Sequence, residues 1–398
     1  MTKKYNLTTV RDMMSRMATS ASSFDETAVV EPRSLFDLKS VYPLSKFRDS
    51  VIAENGGFVT QSEGQFIVST TDDAGSSVIF QSVERARYVA GFDGVPGMAV
   101  ALNALPTGNQ VVEWGNTDFE NGFVVGVDAE GMFTRLYSGG EVVKTRRRNE
   151  WNSPRLAELD PLDVRVYRMP YRWYASGPYR LMIDHYDEKD TPTVLPVDVM
   201  TREDTTKPIT EDPNQPISLR IQNNGTASPL TARVMGRQYF VMGDYNPDKR
   251  IIGERRFTQT VDTTPVPLIA FRQKPGIYNS VSIKIGGIDL LVSGADIFFD
   301  VRVFADITGG EWISPRLTDN GVESAVEFNV SADSIAGSGL QIWGGGLVGE
   351  GQGKRSSLQS VELPSLDLPG DGEVICLTAQ AISGSATVSS VLKVNEEW

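Results

Sequence analysis

The segment from Val111 to Trp151 constrains the fold of this chain more than any other stretch. It contains two turn sequences, Asp-Ala-Glu-Gly at 128–131 and Ser-Gly-Gly at 138–140. Short apolar or alternating runs flank these turns, at residues 123–127, 132–137 and 142–143. Strands joined by short glycine-containing loops are typical of an antiparallel meander. The segment therefore predicts a run of β-hairpins, and nothing in it resembles a catalytic loop.

The rest of the chain continues this pattern of short strand-like runs. Such runs recur between residues 51 and 241 and again after residue 267, with no convincing amphipathic helix between them. This arrangement favours two-sheet sandwiches or jelly rolls. A Thr- and Pro-rich stretch near residues 258–266 predicts a domain boundary. We therefore predict an all-β chain with two β-sandwich domains of jelly-roll or lectin-like type, at residues 49–260 and 265–398.

Residues 1–48 differ from the strand-rich body. Val10, Met13, Met14 and Met17 follow the spacing of one helix face, which predicts a short helix over residues 7–19. A Ser-rich, irregular stretch follows to about residue 44. We interpret residues 1–48 as an N-terminal helix and anchoring arm. Met13 and Met17 are candidate subunit contacts, and packing on the helix's own domain is the alternative.

The charge balance excludes some partners. The formal net charge is −13, which argues against binding nucleic acid or anionic membrane surfaces. No run approaches the roughly 20 apolar residues of a membrane span, and the first residues lack a hydrophobic signal core. We therefore expect synthesis in a cytoplasm. The single cysteine, Cys376, lies in a strand-like run and is expected to be an inert core thiol.

Motifs that carry chemistry are missing from the sequence. There is no Walker loop, dinucleotide fingerprint, zinc pattern or Gly-x-Ser-x-Gly elbow. The single histidine, His185, stands among four acidic residues that resemble metal ligands, but a solvated loop is the favoured interpretation. We therefore expect no catalytic residue, no cofactor and no metal site.

Acidic and aromatic residues supply two alternatives. Glu113 and Glu120 are the natural pair of carboxylates for glycoside hydrolysis. Trp114 and Trp173 are candidates for a glycan-facing aromatic surface, although aromatic residues on strands are more often core.

The densest basic run is Lys-Thr-Arg-Arg-Arg at 144–148. Its arginines, Arg146, Arg147 and Arg148, are candidate subunit contacts in an otherwise acidic chain. The alternative is the solvated arm of a hairpin.

Several short segments resemble a known family. They are Trp114-Gly115, Glu120–Phe123 and Tyr171–Tyr174 in the first half, with residues 269–272, 324–328 and 363–368 in the second. These segments resemble uncharacterised virion structural proteins of tailed phages, especially marine and aquatic ones, over roughly residues 50–395. The resemblance implies a virion component built of β-sandwiches and supplies no catalytic residues.

The sequence therefore predicts a non-enzymatic structural component of a tailed-virus virion. A capsid-surface turret, decoration or fibre protein fits, as does a tail-associated protein. We expect a homo-oligomer, with a trimer as one option, in contact with other virion proteins. The alternative is a lectin-like module that binds host-surface glycan for host attachment. A polysaccharide-degrading enzyme is the least favoured hypothesis.

Overall fold

Strands dominate the chain in the computed structural model. The structure describes residues 32–153, 159–172, 177–186, 192–203, 206–243, 249–274, 281–315, 324–336, 339–349 and 373–397. Within these ranges there is one 3-10 turn, Arg148–Glu150, and no α-helix, and so no helix that is long and apolar enough to cross a membrane. This confirms the predicted all-β class. The predicted N-terminal helix, with Met13 and Met17, lies outside the described residues.

The chain divides into two compact units, one ending at Asn246 and the other beginning at Pro247. In its described residues, the first unit has fifteen strands: β1 (Pro32–Lys39), β2 (Asp49–Glu54), β3 (Phe58–Ser62), β4 (Gln65–Ser69), β5 (Ser77–Arg85), β6 (Gly94–Leu102), β7 (Val111–Thr117), β8 (Gly122–Asp128), β9 (Gly131–Ser138), β10 (Glu141–Arg147), β11 (Arg165–Arg168), β12 (Tyr179–Tyr186), β13 (Pro192–Met200), β14 (Pro216–Gln222) and β15 (Thr231–Met242).

These strands form two antiparallel sheets. The eight-stranded sheet has the order β13-β12-β11-β6-β15-β4-β3, and β1 pairs with the half of β15 that β4 leaves free. The seven-stranded sheet has the order β10-β9-β8-β7-β14-β5-β2. Inward-facing side chains from both sheets, among them Phe66, Trp114, Tyr167 and Leu219, share one apolar core. The first unit is therefore a two-sheet β-sandwich, as predicted.

The predicted hairpins are confirmed as β8, β9 and β10, and their turns show why. Asp128 Oδ1 accepts a hydrogen bond from the Glu130 amide at 2.9 Å, which closes a local turn. Gly131 then has a φ of +113°, a conformation that glycine adopts at little cost. This turn thus sets the register of the β8–β9 hairpin, in which Asp128 lies opposite Gly131.

Two segments without predicted strands prove to be strands. Residues 32–39, placed by the sequence in the arm, form β1 and pair with β15. Residues 192–200, which include two prolines, form β13 at the edge of the eight-stranded sheet. Proline cannot donate to a neighbouring strand, so it is tolerated at sheet edges. For this reason prolines at 192 and 196 do not prevent pairing there.

The second unit has ten strands among its described residues: β16 (Lys249–Val261), β17 (Val266–Gln273), β18 (Ser282–Gly294), β19 (Ile297–Val303), β20 (Asp306–Thr308), β21 (Val326–Asn329), β22 (Ser334–Ala336), β23 (Leu340–Leu347), β24 (Ile375–Ala381) and β25 (Ala386–Glu397).

They form a three-stranded sheet (β16-β25-β18), a five-stranded sheet (β21-β17-β24-β19-β23) and a ribbon (β20-β22). The ribbon packs where Ala270 and Cys376 are buried. Because β16 pairs with β25 along most of its length, it belongs to this unit. The sequence had placed residues 249–260 in the first domain.

Candidate functional site

The outer face of the seven-stranded sheet carries a cluster of charged and aromatic side chains. Successive side chains on a strand point to opposite faces. Trp114 therefore points into the core, while its neighbour Glu113 points outward. Arg135 and Tyr137 of β9, and Arg220 of β14, lie on the same outer face and contact Glu113. We call these four residues, with Phe119, the Glu113 cluster.

Glu113 lies at the centre and is only 1% exposed. Its Oε1 accepts hydrogen bonds from Arg135 Nη1 at 2.6 Å and from the Tyr137 hydroxyl at 2.9 Å. Its Oε2 accepts one from Arg220 Nη2. Hydrogen bonds between ionised partners are shorter and stronger than neutral ones. Both carboxylate oxygens are thus occupied, and one negative and two positive charges leave the cluster with a net charge of +1.

Aromatic rings fix the positions of the two guanidinium groups. The Arg220 guanidinium lies 4.1 Å from the centroid of the Phe119 ring, and that of Arg135 lies 4.5 Å from the Phe133 ring. Such contacts stabilise a cation by about 0.5–2 kcal/mol. Phe119 has a φ of +68°, which is uncommon for a bulky residue. Thr117 Oγ1 holds this turn by accepting from the Phe119 amide at 2.7 Å.

A glycine makes room for this aromatic layer. A Cβ atom at Gly126 would lie 2.2 Å from the Phe133 ring, so the ring occupies the space that a side chain on β8 would need. Any other residue at this position would displace Phe133 and, with it, the support of the Arg135 guanidinium.

The environment also sets the protonation of the cluster. Burial raises the pKa of Tyr137, and the Glu113 charge raises it further, against the opposing effect of Arg220. Burial alone would lower the pKa of Arg135, but the charge and hydrogen bonds of Glu113 and Tyr137 raise it overall. Tyr137 therefore stays a neutral donor to Glu113, and Arg135 stays charged across the physiological range.

Each arginine keeps donors that the protein does not use. The Arg135 side chain is 21% exposed and that of Arg220 is 18% exposed. Arg135 donates through Nη1 to Glu113 and through Nε to Thr145 Oγ1, and Arg220 donates through Nη2. Within the described part of the chain, Arg135 Nη2 and Arg220 Nη1 have no hydrogen-bond partner. The face thus presents two immobilised guanidinium groups with unused N–H donors.

The structure does not place Trp114 on a glycan-facing surface, as the sequence had suggested. Its side chain has no exposed surface and packs edge-on against Tyr167, with ring centroids 5.0 Å apart. It is therefore a core residue and is not presented to a glycan. Trp173 lies outside the described residues.

Glu113 and Glu120, the predicted pair of carboxylates, lie in different surroundings. Glu120 is exposed in the turn between β7 and β8, where its amide donates to Asp118 Oδ1 at 3.0 Å. Glu113 is buried and ion-paired. The described residues also contain no group of three or more His, Cys, Asp or Glu side chains suited to a metal ion. The side chain of His185 is not among those described.

The basic run is engaged within its own unit. Arg146 pairs with Asp198, and Arg147 Nη1 donates to Asp128 Oδ1 at 2.7 Å. Arg148 Nη1 donates to the Leu159 carbonyl at 2.8 Å. The proposed subunit contacts through Arg146, Arg147 and Arg148 remain predictions.

Sequence reasoning missed Arg135 and Arg220. The alternation of Arg135 and Tyr137 along a predicted strand shows that both face the same way. No local signal shows that Arg220 lies directly opposite Glu113, because this depends on the pairing of β7 with β14.

No family model matches the chain, and no curated protein matches it. One similar solved structure is the carbohydrate recognition domain of Emp47p, at 11% identity and a TM-score of 0.34, over 54% of this chain and 98% of that one. Peanut lectin matches at 10% identity and a TM-score of 0.34, over 54% of this chain and 100% of its own. A protein of unknown function from Shewanella oneidensis MR-1 matches at 9% identity and a TM-score of 0.33, over 62% and 99%.

Proposed function

We propose that the outer face of the seven-stranded sheet binds carbohydrate, and that the ligands are acidic glycans. The observation that carries this proposal is the pair of guanidinium groups, on Arg135 and Arg220, which are fixed by Glu113 and still have unused donors. A guanidinium group is planar and donates in a fork that matches a carboxylate or sulfate.

Immobilisation favours binding at this face. Ordering a flexible side chain on association costs about 0.5–1.5 kcal/mol. Arg135 and Arg220 are already held by ion pairs and aromatic rings, so a ligand need not order them. The net charge of +1 in the cluster, on a chain with a net charge of −13, favours anionic over neutral sugars at this position.

The same geometry supports recognition without hydrolysis. Glycosidases use two carboxyl groups, one to donate a proton and one to act as nucleophile or base. Both oxygens of Glu113 already accept hydrogen bonds from charged or hydroxyl donors. Both oxygens of Glu113 are therefore engaged with the cluster itself, which supports a positioning role for this carboxylate. Its role in the proposal is to hold the two arginines.

A glycan array tests the proposal. The purified chain should bind glycans that carry carboxylate or sulfate groups more strongly than neutral ones. Arg220→Ala should weaken this binding roughly tenfold or more, by the loss of at least one charge-assisted hydrogen bond. Arg233→Ala is the matched control, because Arg233 is an outward residue of β15 in the other sheet. If Arg220→Ala and Arg233→Ala bind acidic glycans equally well, this face is not the binding site.

A second proposal concerns the setting of this binding. We propose that the chain is a homo-oligomeric structural protein of a tailed-virus virion, on the capsid surface or the tail, where glycan binding would serve host attachment. The resemblance of residues 114–115, 120–123 and 171–174 to virion proteins supports this assignment. Mass spectrometry and image reconstruction of purified particles test it. Particles without this chain would refute the virion proposal and leave the glycan-binding proposal standing.

A further inference from the structure

The outer face of the three-stranded sheet in the second unit carries three exposed apolar side chains. The inward residues of this sheet, such as Ile252 and Leu392, are buried. On the opposite face, Ile251 is 69% exposed, Phe257 is 63% exposed and Leu291 is 54% exposed. Single exposed apolar residues are common, but several on one sheet face mark an interaction surface.

The strand register brings these residues together across the sheet. Leu291 of β18 lies opposite Ser389 of β25, and the Thr258 amide, next to Phe257, donates to Ser389 Oγ at 3.2 Å. Phe257 and Leu291 therefore flank β25 from its two sides. Ile251 lies further along the same face, opposite Asn395. We call this surface, with Val391 at its centre, the β25 face.

Charges of both signs accompany the apolar residues. Lys393 Nζ donates to Asp289 Oδ2 at 2.9 Å, and Lys284 Nζ donates to Glu397 Oε2 at 2.6 Å. Arg255 lies opposite Val391 and covers the Phe257 ring at 4.8 Å. The face thus carries three basic and two acidic groups. The acidic groups would repel a strongly acidic partner, and the basic groups would repel a strongly basic one. A partner with charges of both signs is therefore favoured.

A second copy of the β25 face would supply both the apolar residues and the mixture of charges that this surface calls for in a partner. A twofold axis along β25 would place Phe257 of one copy against Leu291 of the other, and Arg255 against Asp289, because these residues flank β25 on its two sides. Faces that carry both signs of charge and an apolar patch are suited to such isologous contacts. The strands β16 and β18 each pair only with β25 among the described residues, so both long edges of the sheet also lack a covering strand in the described part of the chain.

We infer that two copies of this chain associate through the β25 face. This inference deepens the proposed homo-oligomer by naming its contact, and it does not depend on the glycan-binding face of the first unit.

Sedimentation velocity of the full chain tests this inference. The wild-type chain should self-associate at micromolar concentration, and Phe257→Asp should weaken association at least tenfold. Phe298→Asp is the control, because Phe298 is exposed on another sheet of the same unit and its substitution should leave association unchanged. A wild-type monomer, or a Phe257→Asp oligomer as stable as wild type, would overturn the inference.

A second variant keeps the inference testable if Phe257→Asp fails to fold. Leu291→Cys places a thiol on the β25 face, and the natural thiol of Cys376 is buried. A short bismaleimide should then crosslink two chains of Leu291→Cys and none of the wild type. Absence of a crosslinked dimer in an oligomeric sample would also overturn the inference. Failure to find the chain in virions would leave this result untouched, so the two proposals fail separately.

Discussion

Replacing Glu113 by glutamine tests whether its charge organises the outer face of the first unit. Glu113 receives hydrogen bonds from two guanidinium groups and one hydroxyl. Hydrogen bonds to charged groups contribute about 1.5–3 kcal/mol each, against about 0.5–1.5 kcal/mol for neutral ones. Glutamine keeps one acceptor oxygen but turns an amide NH₂ group toward a guanidinium group. The arginines are partly exposed, so water screens the remaining repulsion. We expect Glu113→Gln to lower the free energy of unfolding by about 2–4 kcal/mol.

Urea denaturation followed by tryptophan fluorescence measures this loss, because Trp114 and Trp151 are both buried in the first unit. With a denaturant slope of about 2–3 kcal/mol/M, the midpoint should fall by about 1 M. Glu120→Gln is the control, since an exposed turn residue should change stability by less than about 0.5 kcal/mol. A loss below about 1 kcal/mol for Glu113→Gln, or equal losses for both variants, would refute the proposed role of the charge.

Two other buried features, the Asp49–Arg237 ion pair and the Cys376 thiol, give further predictions. Asp49 pairs with Arg237, which has no exposed side-chain surface and lies 4.2 Å from the Phe80 ring. Asp49→Asn should cost about 3–5 kcal/mol by leaving that charge uncompensated, while the double variant Asp49→Leu, Arg237→Met should recover most of the loss. Urea midpoints check this, and a double variant as unstable as the single one would contradict it. Burial raises the pKa of Cys376 from 9.0 to about 12, so iodoacetamide at pH 8 should label it only in denaturant. Because this pKa is higher in the folded state, the contribution of Cys376 to stability is complete below pH 9.0 and is lost as pH rises toward about 12. Cys376→Ala should remove that part of the alkaline loss in pH-dependent unfolding, and an unchanged pH profile would count against it.

Features set by neighbouring residues could be predicted from the sequence. The hairpins of β8, β9 and β10 follow from turn sequences that act within a few residues, such as the Asp128 turn and the positive φ of Gly131. Strands that lack a clear alternation were missed. β13 contains two prolines and β1 sits in a polar stretch, and both depend on partners far along the chain.

The candidate site depends on such distant pairing. Glu113 and Arg220 are separated by 107 positions and meet only because β7 pairs with β14. The inward orientation of Trp114 could not be predicted from the sequence either. Nearly every residue of β7 is buried, whichever face of the sheet it lies on. Alternation between polar and apolar residues loses its meaning where charged and aromatic side chains cover the outer face of a sheet.

Isothermal titration of an acidic oligosaccharide into the full chain, with a parallel assay for reducing ends, tests the central proposal most directly. We expect saturable binding that Arg220→Ala weakens roughly tenfold and Arg233→Ala leaves intact, with no release of reducing ends. Absence of binding to any acidic oligosaccharide, or release of reducing ends that Glu113→Gln abolishes, would contradict the proposal that this face recognises glycans without cleaving them.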